Sequence, residues 1–223
     1  MTAAVDFDWE WVVEHLDLIG ALLVDHVILT VLAVGIGLAI SFPLAVLAHR
    51  NRRLFPPITW VAGILYTIPS LALFVLLIPI TGLTKVTAEI GLVSYTLLIL
   101  IRNIVVGLDG VPEDVKEAAR GMGYTDRQML WRVELPLALP AVVAGIRIAT
   151  VTTIGLVTVT AIITEGGLGQ LILLAIRRRL FLTPAVVGAT LSLVLAIAVD
   201  AGLLGAQRLL TPWSRGSRTV ARA

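Results

Sequence analysis

The sequence predicts an all-α integral membrane protein with about five transmembrane helices, and three observations carry that prediction. Hydrophobic residues make up 58% of the 223 residues and the mean hydropathy is +0.98, more than one soluble core requires. Charge-poor windows recur at about 27–49, 58–80, 86–107, 136–164 and 183–208, each long enough to cross a bilayer as a helix of roughly 20 apolar residues. Between the third and fourth windows lies a hydrophilic island, Glu117 to Pro136, reading EAARGMGYTDRQMLWRVELP.

Ahead of the first window, residues 7–24 place Trp9, Val12, Val13, Leu16, Ile19 and Leu23 on one helical stripe and Glu10, Glu14 and Asp17 on the other. That is the pattern of an amphipathic helix at the membrane surface, so residues 1–26 are expected to form an interfacial segment. The first 25 residues hold six acids and no Lys or Arg, which argues against a cleaved signal peptide. In the first span Ala33, Gly37, Ser41 and Ala45 make a ladder of small residues suited to close helix packing. Pro43 there, and Pro69 and Pro79 in the second span, are expected to kink both helices. The third is free of charge only from Ile90 to Ile101, with Glu89 and Arg102 near its ends, where their side chains can snorkel.

Arg147 stands about eleven residues into the fourth window and Asp200 eight residues before Arg208 in the fifth, at similar depth. Gly188, Ser192, Ala196 and Asp200 form a second small ladder, which turns Asp200 toward protein rather than lipid. Ionisable groups are costly in a bilayer, and the expectation is a buried Arg147–Asp200 pair joining the last two spans, with separate snorkelling or a pore-lining role as the alternatives.

Lys and Arg near span ends resist translocation. With the N-terminus outside and the C-terminus in the cytoplasm, twelve basic residues fall inside, against Lys85 and the run Arg177, Arg178 and Arg179 outside. The bias places the loop 108–135, which holds nearly all of the island, and the basic tail 211–223 in the cytoplasm, although the triple arginine runs against the rule. In the loop, Pro112 followed by Glu113 and Asp114 starts a helix that ends near Gly121. Gly121 and Gly123 break it, and Thr125 with Gln128 forms a capping box for a second short helix to about Val133. Pro136 and Pro140 mark the restart into the fourth span. By residue pattern alone this is either a rigid projecting knob or an ordinary solvated loop.

The order Glu117-Ala118-Ala119, three residues, Gly123, nine residues, Val133, one residue, Leu135-Pro136 resembles the EAA motif of ABC importer permeases, with Val133 where Ile is usual. The flanking GVPEDVKEAARGMGYTDRQMLWRVELPLALPAVVAGIRIAT and the later Gly166 to Gly169, GGLG, look like the osmoprotectant branch, which imports glycine betaine, choline or carnitine. The likeness covers about residues 27–210. It implies a type I ABC importer (MetI-like) permease fold in a prokaryotic cell membrane, with the island as coupling helix. The implied partners are a separate ABC ATPase subunit, a second permease copy or paralogue, an extracytoplasmic substrate-binding protein and the lipid bilayer, with no nucleic acid. Glu117 would meet the rim of an ATPase groove, Ala118 and Ala119 would allow close approach, and Gly123 would accept the positive φ of a sharp turn.

No phosphate-binding loop occurs: the two lysines, Lys85 and Lys116, follow Thr84 and Val115, so the chain itself needs no cofactor and ATP would be bound by a partner subunit. Glu165 and GGLG read as a turn into a short re-entrant helix on the outer side, which by resemblance lines the translocation path through Gly166, Gly167 and Gly169. Glu165 either attracts a cation at the mouth or caps that helix. Trp60, Tyr66 and Phe74 read as core or interface anchors before they read as an aromatic cage. His15, His26 and His49, at expected interface positions, have no metal-ligand spacing, cysteine is absent, and no nucleophile elbow occurs, so a transport subunit is expected rather than an enzyme. A permease for another small solute such as an amino acid, a stand-alone secondary transporter, and a membrane scaffold or membrane enzyme are the competing readings. No convincing internal repeat supports the secondary transporter.

Overall fold

The structure, a computed structural model, describes residues 7–164, 166–178 and 181–213, and these form helices and turns without a strand. Helix α1, Trp9–Glu14, is capped by Asp8, whose carboxylate accepts from the Trp11 N–H at 2.9 Å. It stops at His15, whose Nδ1 lies 2.8 Å from the Trp11 carbonyl and whose ring stacks on the Trp11 indole. Helix α2 then runs unbroken over Leu16–Arg50. The expected single interfacial helix over residues 7–24 is therefore split, and its second half is the start of the first span. Trp11, off the expected stripe, is buried beside Ile19, Leu168 and Leu171 and meets Phe181 edge-on, while Trp9 and Val13 stay exposed. Docking of Trp11 on the body of the protein overrides the surface pattern.

A 3-10 turn, Arg52–Leu54, leads into α3, Phe55–Thr67, and α4, Ser70–Thr81. The second span is thus two helices bent by 96° at Ile68–Pro69. Of the three prolines expected to kink their helices, only Pro69 falls at a break; Pro43 and Pro79 lie inside α2 and α4. Helix α5, Lys85–Asp109, occupies the centre, with Leu100, Ile101, Ile104, Val105 and Leu108 fully buried against Ala45, Ala48, Ala138, Val142 and Ala149. Close packing is possible because small residues line the contacts: a Cβ on Gly107 would lie 3.0 Å from the Ala138 carbonyl, and one on Gly37 would enter the Thr96 side chain.

The loop forms α6, Glu113–Gly121, and α7, Asp126–Met129. A π-helical turn, Leu130–Glu134, joins α7 to α8, Leu135–Thr160, so that residues 126–160 make one 35-residue helix. The expected restart at Pro136 does not occur. Pro136 has no N–H to donate and its ring would crowd the carbonyl four residues back, and the wider π turn just ahead gives it room. Helices α9, Gly169–Arg177, and α10, Leu182–Leu210, complete the chain. Among the described residues four helices are long and apolar enough to cross a membrane, five if the broken α3–α4 pair counts as one span.

Polar contacts fix the directions. The C-terminal ends of α2 and α5 and the turn before α8 meet through His49, Asp109 and Glu134. At the other end Asp25 of α2 binds Lys85 of α5 at 2.8 Å, and His26 of α2 holds Leu168, just after α8. Helices α2 and α5 therefore run parallel, and α8 runs against both.

Candidate functional site

The motif runs from α6 through α7 and the π turn into the first turn of α8. Helix α6 is stapled by Glu113, which pairs with Lys116 at 2.6 Å and Arg120 at 2.9 Å. Lys116 first, and then Arg120, hold the exposed Glu113 carboxyl below its usual range. At the end of α6 the Tyr124 N–H reaches the Ala119 carbonyl at 3.1 Å and the Gly123 N–H reaches Arg120 at 2.9 Å, the double closure that ends a helix on a left-handed residue. Gly123 supplies that residue with φ +81, and no atom lies within 4 Å of where its Cβ would be, so the need for glycine is in the backbone. Thr125 and Gln128 then exchange both bonds of a capping box.

Glu117 and Ala118 are exposed, available to a partner. Ala119 is not: at 2% exposure it packs inward, so of the expected pair of approach residues only Ala118 faces out. Val133, Leu135 and Pro136 are half-buried at the base, where the π turn enters α8. The knob also presents Met122, 69% exposed, which the motif does not single out.

Beneath the knob is a charged junction that sequence reading missed. His49 donates Nδ1–H to Asp109 at 2.6 Å, and its Nε2 lies 3.5 Å from the buried Glu134. Arg52 takes the second Asp109 oxygen at 2.6 Å, and Arg50 reaches the Asp126 carbonyl at 3.4 Å. One imidazole thus ties α2 and α5 to the turn that leads from the knob into α8. His49, expected at the membrane interface, is a structural bridge whose partners lie 60 or more residues away.

At the opposite end the GGLG segment is clamped. His26, fully buried, accepts the Leu168 N–H on Nδ1 at 3.2 Å and so carries its proton on Nε2, which donates to the Ile154 carbonyl at 3.0 Å. His26, read from the sequence only as an interface residue, is thus a buried link between α2, α8 and the turn before α9. Gly167 has φ +77, and a Cβ on Gly169 would collide with the Thr158 carbonyl. A Cβ on Gly166 would stand 3.2 Å from Asp25. Glu165 and Arg179 lie outside the described residues, as does the tail beyond 213.

Between the two ends the structure brings Arg147 and Asp200 together in a two-pronged pair, Nε–Oδ1 2.9 Å and Nη2–Oδ2 2.7 Å. Gln207 donates to the Pro140 carbonyl at 3.1 Å and stands 3.5 Å from Arg147. The pair is not sealed inside: the side chains are 22% and 38% exposed, in a groove of about 690 Å³ between α8 and α10. Glu89 shows the reverse, both carboxylate oxygens shielded and without a hydrogen-bond partner among the described residues. No three His, Asp or Glu side chains among the described residues converge as metal ligands.

The arrangement is thus a knob of two short helices, a charged junction at its base, and a clamped turn at the far end of the same helices. The profile of the family described as "Binding-protein-dependent transport system inner membrane component" matches residues 27–211. Relatives include the osmoprotectant import permease protein OsmW of Salmonella typhimurium, 38% identical over 91% of this chain and 96% of its own. The choline transport system permease protein OpuBB of Bacillus subtilis is 35% identical over 84% and 86%. The glycine betaine/carnitine/choline transport system permease protein OpuCB of the same organism is 33% identical over the same shares. Among solved structures, an inward-facing MetNI methionine ABC transporter chain superposes with TM-score 0.76 at 24% identity, covering 84% of this chain and 93% of its own. A chain of an amino acid ABC transporter does so with TM-score 0.74 at 18% identity, over 91% and 99%. At these identities the structures support the fold alone. The chain belongs to the binding-protein-dependent inner-membrane transport family and is an ABC importer permease subunit, a multi-pass membrane protein and not an enzyme.

Proposed function

We propose that the chain is the permease of an ATP-driven importer for quaternary-amine osmoprotectants such as glycine betaine, choline and carnitine. The observation that carries the substrate class is the set of three relatives, each matched over at least 84% of this chain, one named for osmoprotectant import and two for choline or for glycine betaine, carnitine and choline. Two permease chains, identical or paralogous, enclose the path, an ATPase pair sits beneath them, and a binding protein delivers the solute to the face away from the knob. The knob is cytoplasmic, the N-terminus outside and the C-terminus inside, in accord with the distribution of Lys and Arg.

In this reading Glu117, Ala118 and Met122 seat in the ATPase, and its stroke moves α6 and α7. Residues 126–160 form one continuous helix, so that displacement enters α8 directly, and the His49–Asp109–Glu134 junction carries it to α2 and α5. The far ends of these helices hold the Asp25–Lys85 pair and the His26-clamped GGLG turn, where the path opens and closes. Reconstitution with the cognate ATPase and binding protein tests the substrate class: radiolabelled glycine betaine, choline or carnitine enters the vesicles, and uptake of an amino acid in their place contradicts it.

A further inference from the structure

The break in the second span sets the carbonyl end of α3 beside two tyrosine rings. Helix α3 ends at Thr67, about 20 Å along its axis from Phe55, and the contact of Tyr95 with Ile68 sets the break beside α5 ten residues, or about 15 Å, from that helix's start at Lys85. Pro69 has no N–H for the Leu65 carbonyl, and the 96° bend carries α4 away from the remaining terminal carbonyls of α3. The α3 C-terminus is thus a partial negative charge in a low-dielectric setting. Two aromatic rings stand at this point. Tyr95 of α5 donates its hydroxyl to the Ile68 carbonyl and holds the break open, and Tyr66 meets Tyr95 at a centroid distance of 5.8 Å and an interplanar angle of 64°. Tyr95 is 6% exposed whereas Tyr66 is 39% exposed, so Tyr66 is the ring with a free surface. Beside the tyrosine pair, and not lined by it, a groove of about 590 Å³ runs along α3 past Thr59, Trp60, Gly63, Ile64 and Thr67. Arg102, the one charged residue lining it, stands seven residues along α5 from Tyr95, about 10 Å toward the knob. In the sequence Tyr66 and Tyr95 are 29 residues apart, and only the fold brings them together.

From this geometry we infer that Tyr66, Tyr95 and the carbonyl end of α3 form a transient site for the trimethylammonium group of the cargo. The inference rests on the proposed quaternary-amine function. A cation–π face and a helix C-terminus both favour a bulky, weakly hydrated cation and form no directional bond to it, which suits a station that must release. The tests use the permease–ATPase complex without binding protein, probed by saturation-transfer NMR on the methyl signals of choline. Choline shows transfer, tetramethylammonium competes, and the uncharged carbon analogue 3,3-dimethylbutan-1-ol does not. Replacing Tyr66 by phenylalanine and then by mono-, di- and trifluorophenylalanine keeps the shape and drains the ring face. Affinity falls stepwise along that series, by about 5- to 30-fold at its end. Equal competition by the uncharged analogue, or a flat fluorination series, overturns the site. Uptake by the wild-type complex with its binding protein separates the two readings: if choline and glycine betaine are transported but the series is flat, only the site fails. If neither is transported, the functional reading fails and takes the site with it.

Discussion

A methyl group at Gly123 would meet no neighbour, yet it would hold a β-carbon at φ +81, a conformation that disfavours L-residues by about 1–2 kcal/mol. Gly123→Ala is therefore expected to weaken the α6–α7 turn modestly, and Gly123→Leu to abolish ATPase association and uptake; co-purification with the ATPase reads the difference. At His26, substitution by Leu leaves the Leu168 N–H buried without an acceptor, a loss of about 2 kcal/mol visible as a lowered Tm of the purified permease. For Arg147 and Asp200 each single charge reversal places like charges in contact, whereas the double exchange restores the pair, so uptake recovers in the double variant beyond either single one. Gly123 and the Thr125–Gln128 box were legible in the sequence because their geometry is local. The depth match of Arg147 with Asp200 was legible because unpaired charge is costly in a bilayer. The roles of His26 and His49 were not, since their partners lie 142 and 60 residues away and nothing beside them in sequence marks the contact.

On the scale of elements, α6 was readable from its proline start, first-turn acids and glycine stop, and its observed bounds, Glu113–Gly121, follow those signals. The π turn was not, because it arises from fitting Pro136 into a helix continuous from α7, and no residue pattern distinguishes that from a restart. The break at Pro69, rather than at Pro43 or Pro79, was equally hidden: all three lack the N–H, and tertiary packing, including the Tyr95 bond to Ile68, decides which helix opens. If the junction under the knob transmits force, His49→Ala uncouples the importer. ATP hydrolysis continues while solute uptake per ATP falls several-fold, and equal loss of both would show a merely structural role. The staple in α6 has a defined pH sense. Glu113 is held below its usual range, so the pair is complete above ordinary carboxylate values and is lost as pH falls through the lowered one.

In the proposed function the whole molecule transmits motion along helices that run from the knob to the clamped turn, and its orientation can be read directly because the chain has no cysteine. Met122→Cys on the knob and Leu83→Cys in the α4–α5 turn are both exposed positions. An impermeant maleimide added to intact cells is expected to label position 83 and to reach 122 only after permeabilisation; the opposite pattern would invert the assembly. The fold class and four of the expected spans were evident from hydropathy, since bilayer thickness dictates the length of each crossing, whereas the second span is a broken pair of helices. The length of α2, 35 residues and so about 52 Å, was not, because its outer turns carry Asp17 and Asp25 and continue beyond the hydrocarbon on packing rather than hydropathy. The most direct measurement is uptake by proteoliposomes holding the permease alone, or with its ATPase, binding protein and ATP. Solute accumulates only in the complete system if the knob is a lever driven by a separate engine, and accumulation by the permease alone would contradict that account.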